Sequence, residues 1–320
     1  MKYTNLFVWI KEREEFKLKK LLFIALCLSV SVCFAEEIDV FKLAEGGTPA
    51  QLKDALKKGA KFNVQHSIHD FDDYTQEDID DWLFDTGETP LHRAAAYNHN
   101  PGSIKFLIEQ GLDVNALASV GNISLETPLI CAVWHKNISA VKELFKHGAD
   151  PNVWDEGGYS FAGTPLHIVA FNYNGKNDIP IAREMITELV KAGGNVNNHE
   201  EVSLEELKEI IKYEPELAED KTIFTLKDRL TNGEPYFEIK LFSHATNGVF
   251  LETLTPLMWA VFCDNPDMVD IFLDFNADVN LRSVENKTAV DYANNLPANS
   301  KIRKSLVFKR LQSVAYSLDK

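Results

Sequence analysis

Only four cysteines occur in 320 residues, and two of them, Cys27 and Cys33, lie within the first 35. Cys131 and Cys263 are all that remain downstream, so no disulfide framework holds this chain together. Cys131 falls where a helix packs inward and reads as a small buried hydrophobe. Positive charge is scarce as well: 33 Lys and Arg stand against 48 Asp and Glu, a formal net charge of −15. A surface of that sign lacks the basic face needed to displace counterions from a phosphate backbone, which argues against nucleic-acid binding. Catalytic signatures are missing too. There is no Gly-x-Ser-x-Gly, no phosphate-binding glycine loop, no His-Glu-x-x-His and no Cys-x-x-Cys, and with them go the usual marks of acyl transfer, nucleotide chemistry, zinc proteolysis and dithiol redox. No cofactor is implied.

What is present begins with a hydrophobic content of 45%, enough for one long or two ordinary domains and too much for wholesale disorder. At the N-terminus, Lys17-Leu18-Lys19-Lys20 runs into an uncharged block from Leu21 to Ala35, and Cys33-Phe34-Ala35 precedes Glu36-Glu37. That order is the order of a secretory signal peptide, and the block falls short of the roughly 20 residues that span a bilayer. Residues 1–35 are therefore expected to be a signal of bacterial type, cleaved after Ala35, leaving no membrane span and a periplasmic or secreted chain. Neither cysteine of the signal follows the small residue that a lipid anchor wants. Cleavage removes six basic and three acidic groups and leaves 27 against 45, a still more acidic product.

A period in the thirties then repeats down the chain. Gly87-Glu88-Thr89-Pro90-Leu91-His92 returns as Leu125-Glu126-Thr127-Pro128-Leu129-Ile130, as Ala162-Gly163-Thr164-Pro165-Leu166-His167 and as Thr253-Leu254-Thr255-Pro256-Leu257-Met258, with a weaker copy at Lys287-Thr288-Ala289-Val290-Asp291. The threonines are spaced 38, 37, 91 and 33 residues apart, so one interval carries a large insertion. A threonine hydroxyl caps a helix, and proline at the first helical position loses no hydrogen bond. Each copy ends in a chain-reversing tag, as in Gly111-Leu112-Asp113-Val114-Asn115, Gly148-Ala149-Asp150-Pro151-Asn152, Gly193-Gly194-Asn195-Val196-Asn197 and Asn276-Ala277-Asp278-Val279-Asn280. Gly or Asn there suits the left-handed conformation that closes a helix.

These openings and tags together resemble the ankyrin-repeat family, whose unit is a turn or hairpin followed by two antiparallel helices. The resemblance implies an all-α solenoid of about six helix-turn-helix units. A divergent first repeat is expected over residues 36–64, where Gly59–Asn63 keeps the tag without the opening motif. Repeats 2–4 follow at 87–198, and a fifth repeat with a C-terminal cap at 253–320, the cap containing a basic Lys301–Lys304 and an apolar Leu306–Leu311 helix. Two insertions interrupt the array. Residues 65–86 carry eight Asp and Glu and no Lys or Arg, which suits a cation or a basic partner. There Asp70, Asp72, Tyr74, Asp78 and Asp81 occupy positions 1, 3, 5, 9 and 12 of a calcium loop, although Thr75 replaces the turn glycine and no Glu closes it. His66-x-x-His69 lacks the second ligand pair of a zinc site. Residues 199–252 open with the capping box Ser203-Leu204-Glu205-Glu206 and contain β-rich runs Thr222–Leu226 and Tyr236–Phe242 separated by Asn232-Gly233, which reads as a helix plus a β-hairpin.

In the family, the histidine after Thr-Pro-Leu is structural, so His92 and His167 are expected to bond neighbouring repeats. Recognition commonly uses the two residues after the paired small residues of the inner helix, together with the hairpin tips. By position these are Ala96 and Tyr97, Trp134 and His135, Phe171 and Asn172, Phe262 and Cys263, with Trp154, Tyr159 and Phe161 extending the same face. An aromatic row of this kind suits the anchors of a protein interface. The expectation is a monomeric, non-enzymatic module that docks a protein partner. A metal-binding regulator or enzyme sited in the acidic loop and insertion, and a secreted effector, are the alternatives.

Overall fold

The computed structural model describes residues 38–65, 87–120, 124–154, 163–199, 254–283 and 286–317. The segment 1–35 expected to be a signal, Asp70, Asp72, Asp78, Asp81, Tyr159, Phe161 and the helix and hairpin expected at 199–252 lie outside these residues. From Val40 onward the chain forms one compact unit, built from pairs of antiparallel helices. In chain order the pairs are α1 (Val40–Gly46) with α2 (Pro49–Lys57), α3 (Pro90–Tyr97) with α4 (Pro101–Glu109), α5 (Pro128–Trp134) with α6 (Ile138–Lys146), α7 (Pro165–Asn172) with α8 (Asp178–Lys191), and α9 (Pro256–Phe262) with α10 (Pro266–Asp274). The last unit has α11 (Ala289–Asn295), a short α12 (Lys301–Lys304) and α13 (Leu306–Ser317). Between the second and third units, β1 (Ala118–Val120) and β2 (Ser124–Glu126) pair antiparallel with Ser119 opposite Leu125.

The first helix of each pair packs on the first helix of the next, α1 on α3, α3 on α5, α5 on α7, α7 on α9 and α9 on α11. The second helices form a parallel outer row from α2 through α4, α6, α8 and α10 to α13. Leu91, Leu129, Leu166 and Leu257, one at the same place in four successive inner helices, are at most 1% exposed. Truncating any of them to Ala would cost about 2–5 kcal/mol, since the helices on either side cannot collapse into the space.

The opening threonines start helices in two ways. Where an apolar residue follows Leu, the hydroxyl accepts the backbone N–H three residues on, as from Ile130 to Thr127 (3.3 Å) and from Met258 to Thr255 (3.2 Å). Where His follows, its Nδ1 lies 2.8 Å from the hydroxyl of Thr89 and accepts the backbone N–H of the same Thr89 (3.2 Å), and His167 does the same with Thr164 at 2.8 and 3.0 Å. The first unit departs from the pattern in one respect: its Thr-Pro, Thr48-Pro49, opens the outer helix α2, through a capping box with Gln51.

Two polar ladders bind the units edge to edge. At the tags, Asn115 donates to the Gly148 carbonyl and accepts from the Asp150 N–H, Asn152 repeats this with Gly193 and Asn195, and Asn197 accepts from the Asp278 N–H at 2.8 Å. At the turn between inner and outer helices, Asn98 donates to Ala44 and Gly47, and Asn137 to Ala95 and Asn98. Tyr173 takes that role in the fourth unit through its hydroxyl to Val133 (2.8 Å). Burial pushes that phenol well above its usual range, with Asp178 nearby adding to the effect. The C-terminal cap is held by Asp264, whose carboxylate accepts the Ser300 hydroxyl and the N–H groups of Lys301 and Ile302. Arg310 on α13 adds ion pairs to Asp270 and Asp274, and Arg183 on α8 also reaches Asp274 at 2.9 Å.

Candidate functional site

Because each inner helix ends at the same register, its last residues form a row across the stack. In the second unit Tyr97 is 47% exposed, while Ala96 beside it is buried. The Tyr97 ring meets the exposed His135 of the third unit edge-on, with centroids 4.6 Å apart. His135 is oriented from behind, its Nδ1–H donating to the Cys131 carbonyl at 2.9 Å. Trp134 is half-buried and stands edge-on to Phe171 at 6.1 Å, and Phe171 in turn to Trp259 at 5.8 Å. Asn172 ties two of these units together by donating to the Trp134 carbonyl (2.9 Å). Toward the C-terminus the row closes: Phe262 is 8% exposed and packs on Tyr292 of the last unit at 5.0 Å. Cys263 is half-buried.

Alongside the row, the residues flanking the opening motifs are charged in the second and third units and again at Lys287 in the last, with buried, uncharged residues between them. Arg93 pairs with Glu88 and, at 3.4 Å, with Glu45 on α1. In the third unit the buried Cys131 donates its thiol to Glu126 (3.2 Å). The same slots in the later units hold Gly163 and Leu254 in place of Glu88, and Ile168 and Trp259 in place of Arg93. Trp259 was invisible to periodicity, because nothing in the series Arg93, Cys131, Ile168 announces an aromatic there.

His92 and His167 lie behind this face. Nδ1 of each accepts a backbone N–H, which places the ring proton on Nε2. In His92 that proton is shared between the carbonyls of Ala116 and Glu126, each at 3.1 Å, the two legs of the β1–β2 hairpin. In His167 it bonds Leu254 at 2.9 Å and also interacts with the Asn198 carbonyl. One imidazole thus grips the chain on both sides of the long insertion, which departs from the place where the second unit has its hairpin. Burial holds both rings neutral, lowering each to about 4. Trp154, half-buried, stands edge-on to His167 at 5.6 Å. Among the described residues no group of three His, Cys, Asp or Glu side chains could hold a metal ion, and no helix is long and apolar enough to cross a membrane.

Comparison with known proteins agrees with this architecture. The family described as ankyrin repeats in three copies matches residues 46–155, and that described as ankyrin repeats in many copies matches 247–293. The chain is similar to a putative palmitoyltransferase ZDHHC13 of Danio rerio, 27% identical over 206 residues, which are 64% of this chain and 27% of that protein. It is also similar to palmitoyltransferase akr1 of Neurospora crassa, 41% identical over 90 residues, 28% of this chain and 11% of the relative. The chain therefore spans about a quarter or less of the length of these relatives. With helix pairs, opening threonines and closing tags all in register, residues 46–155 and 247–293 are ankyrin repeats, and the fold is an all-α ankyrin-repeat solenoid.

Proposed function

We propose that this chain is a protein-docking module that receives its partner on the inner-helix face, with Tyr97, Trp134, His135, Phe171 and Asn172 as the contact row and Trp154 and the hairpin tips at its margin. One observation carries the reading: a phenol 47% exposed heads a file of aromatic rings that runs through the third and fourth units to the buried Trp259 of the fifth. Aromatic rings bring large contact area at small entropic cost, which is why they dominate interface energetics. Turnover is not part of the proposal. The relatives are palmitoyltransferases by name, and since the chain spans so little of them, their activity stays with them; what supports docking is the ankyrin-repeat match itself.

We further propose that the chain is exported by residues 1–35 and works in a periplasm or outside the cell. Intact mass of the protein recovered from envelope and medium tests this, with Glu36 as the expected first residue; recovery from the cell interior with Met1 retained would overturn it. For docking, affinity capture with the wild type and with a Trp134→Ala/Phe171→Ala variant is decisive. A partner retained by the first and lost by the second, with helical content unchanged, supports the proposal; equal capture by both overturns it.

A further inference from the structure

The C-terminal end of the stack carries charge of the opposite sign to the chain as a whole. Residues 292–317 hold five Lys and Arg and no Asp or Glu, within a chain of net charge −15. Acidic groups on the elements packed against this cap are mostly engaged. Asp264 accepts the Ser300 hydroxyl and two backbone N–H groups, Asp270 and Asp274 pair with Arg310, and Asp291 closes the capping box of α11. Asp267, exposed in the first turn of α10, is left to oppose the cap. Against it stand Lys301, Lys304 and Lys309, all exposed and without an ion pair among the described residues, and Arg303, whose guanidinium donates to the uncharged Leu296 carbonyl. The positive excess therefore survives the count of its neighbours.

Set among these lysines is Leu306, 81% exposed, against 41%, 43% and 47% for Leu56, Leu117 and Tyr97, the other exposed large hydrophobic side chains among the described residues. Leu306 and Lys309 are three apart on α13 and share a face, as do Lys301 and Lys304 on α12, and the two helices pack together. Val307 and Phe308, half-buried, continue the apolar surface beside Leu306. A side chain this open is a projection. A folded partner would have to supply a matching pocket for it, whereas a fluid bilayer surface needs none. The charges fit the same surface, because lysine stems hold their ammonium groups at the level of lipid phosphates while an apolar neighbour reaches the acyl boundary.

We infer that the cap is a peripheral contact for an anionic lipid bilayer, with Leu306 entering its surface and Lys301, Lys304 and Lys309 on the phosphates. Basic clusters beside an apolar helical turn are a common means of reading an anionic leaflet. At about 0.1 M salt, charges more than about 10 Å from the surface are largely screened, so the cap is attracted although the whole chain is acidic. Tyr97 and Trp134 lie several units from the cap and stay available to a protein.

The test sediments the full chain with vesicles of phosphatidylcholine alone or with about a third phosphatidylglycerol. The bound fraction should be at least about fivefold higher on the anionic vesicles at about 0.1 M salt, and the excess should vanish at about 0.5 M. Lys301→Gln/Lys304→Gln/Lys309→Gln should erase the excess, and Leu306→Gln should cut it at least about threefold with the melting temperature unchanged. Lys105→Gln/Lys191→Gln, which removes charge from exposed outer-helix lysines elsewhere, should leave it. Amide exchange localises the contact whatever residues 1–35 add to the baseline: residues 304–309 should be slowed by anionic vesicles and not by neutral ones. Equal binding to both vesicles, Leu306→Gln indistinguishable from the wild type, a control pair as damaging as the cap lysines, or no slowing at 304–309 overturns the inference.

Discussion

Mild acid should destabilise this stack through two residues. His92 and His167 are both 0% exposed and neutral, each lowered from 6.5 to about 4 by burial. In the unfolded chain the imidazoles take up protons as the pH drops below about 6.5, while the folded chain refuses them until about 4, so stability falls with pH across that window. Between about pH 7 and pH 5 the linkage amounts to about 2 kcal/mol for each ring and about 4 for the pair. That is a large part of the 5–15 kcal/mol typical of a folded domain. The carboxylates do not confuse the measurement. Hydrogen bonds and neighbouring cations hold Asp54, Asp178, Asp274 and Asp291 below 3.8, and groups so depressed lose their contribution only as the pH falls below the ordinary carboxylate range. Urea denaturation followed by circular dichroism at the two pH values, for the wild type and for His92→Gln/His167→Gln, isolates the effect. The variant should be weaker at neutral pH, because donors and carbonyls lose their partner, yet lose much less on acidification. Parallel losses in both proteins would refute the assignment of two neutral, buried rings.

Further outcomes follow from the ladders and caps. Asn276, at φ 59, stands where the other tags have Gly59, Gly111, Gly148 and Gly193, so Asn276→Gly should raise stability by about 0.5–1 kcal/mol in thermal unfolding and Asn276→Ala should lower it. Asn137→Ala removes an N-cap and strands the carbonyls of Ala95 and Asn98, and should cost about 2–4 kcal/mol by urea titration. Asp264→Ala deprives the cap of three hydrogen bonds and should speed amide exchange in residues 301–317 well before it does so in the units distant from the cap.

Much of the stack could be read directly from the sequence because its grammar is local. Thr127, Thr164 and Thr255 each stand one residue before a proline that begins a helix, and the assignment of His92 and His167 to structure needed only their place in the motif. Exposure was harder to read because it depends on the neighbouring unit. Trp134 and Phe262 hold the same slot, yet Phe262 is closed over by Tyr292 of the next repeat, and no pattern within one repeat could foretell that. The two sides of the long insertion, held by a single imidazole, were equally hidden, since Asn198 and Leu254 are far apart in sequence and both bond His167.

That shared grip makes the junction between the fourth and fifth units the seam of the solenoid. Other neighbouring units are joined by shorter connections, but this pair must find each other across the 55 residues between Asn198 and Leu254. Bringing together ends so separated costs about 1.5 kcal/mol more than for a flexible connection of roughly ten residues. A chain pulled from its ends, or caught midway in folding, should therefore part there first, into one block ending at α8 and another beginning at α9.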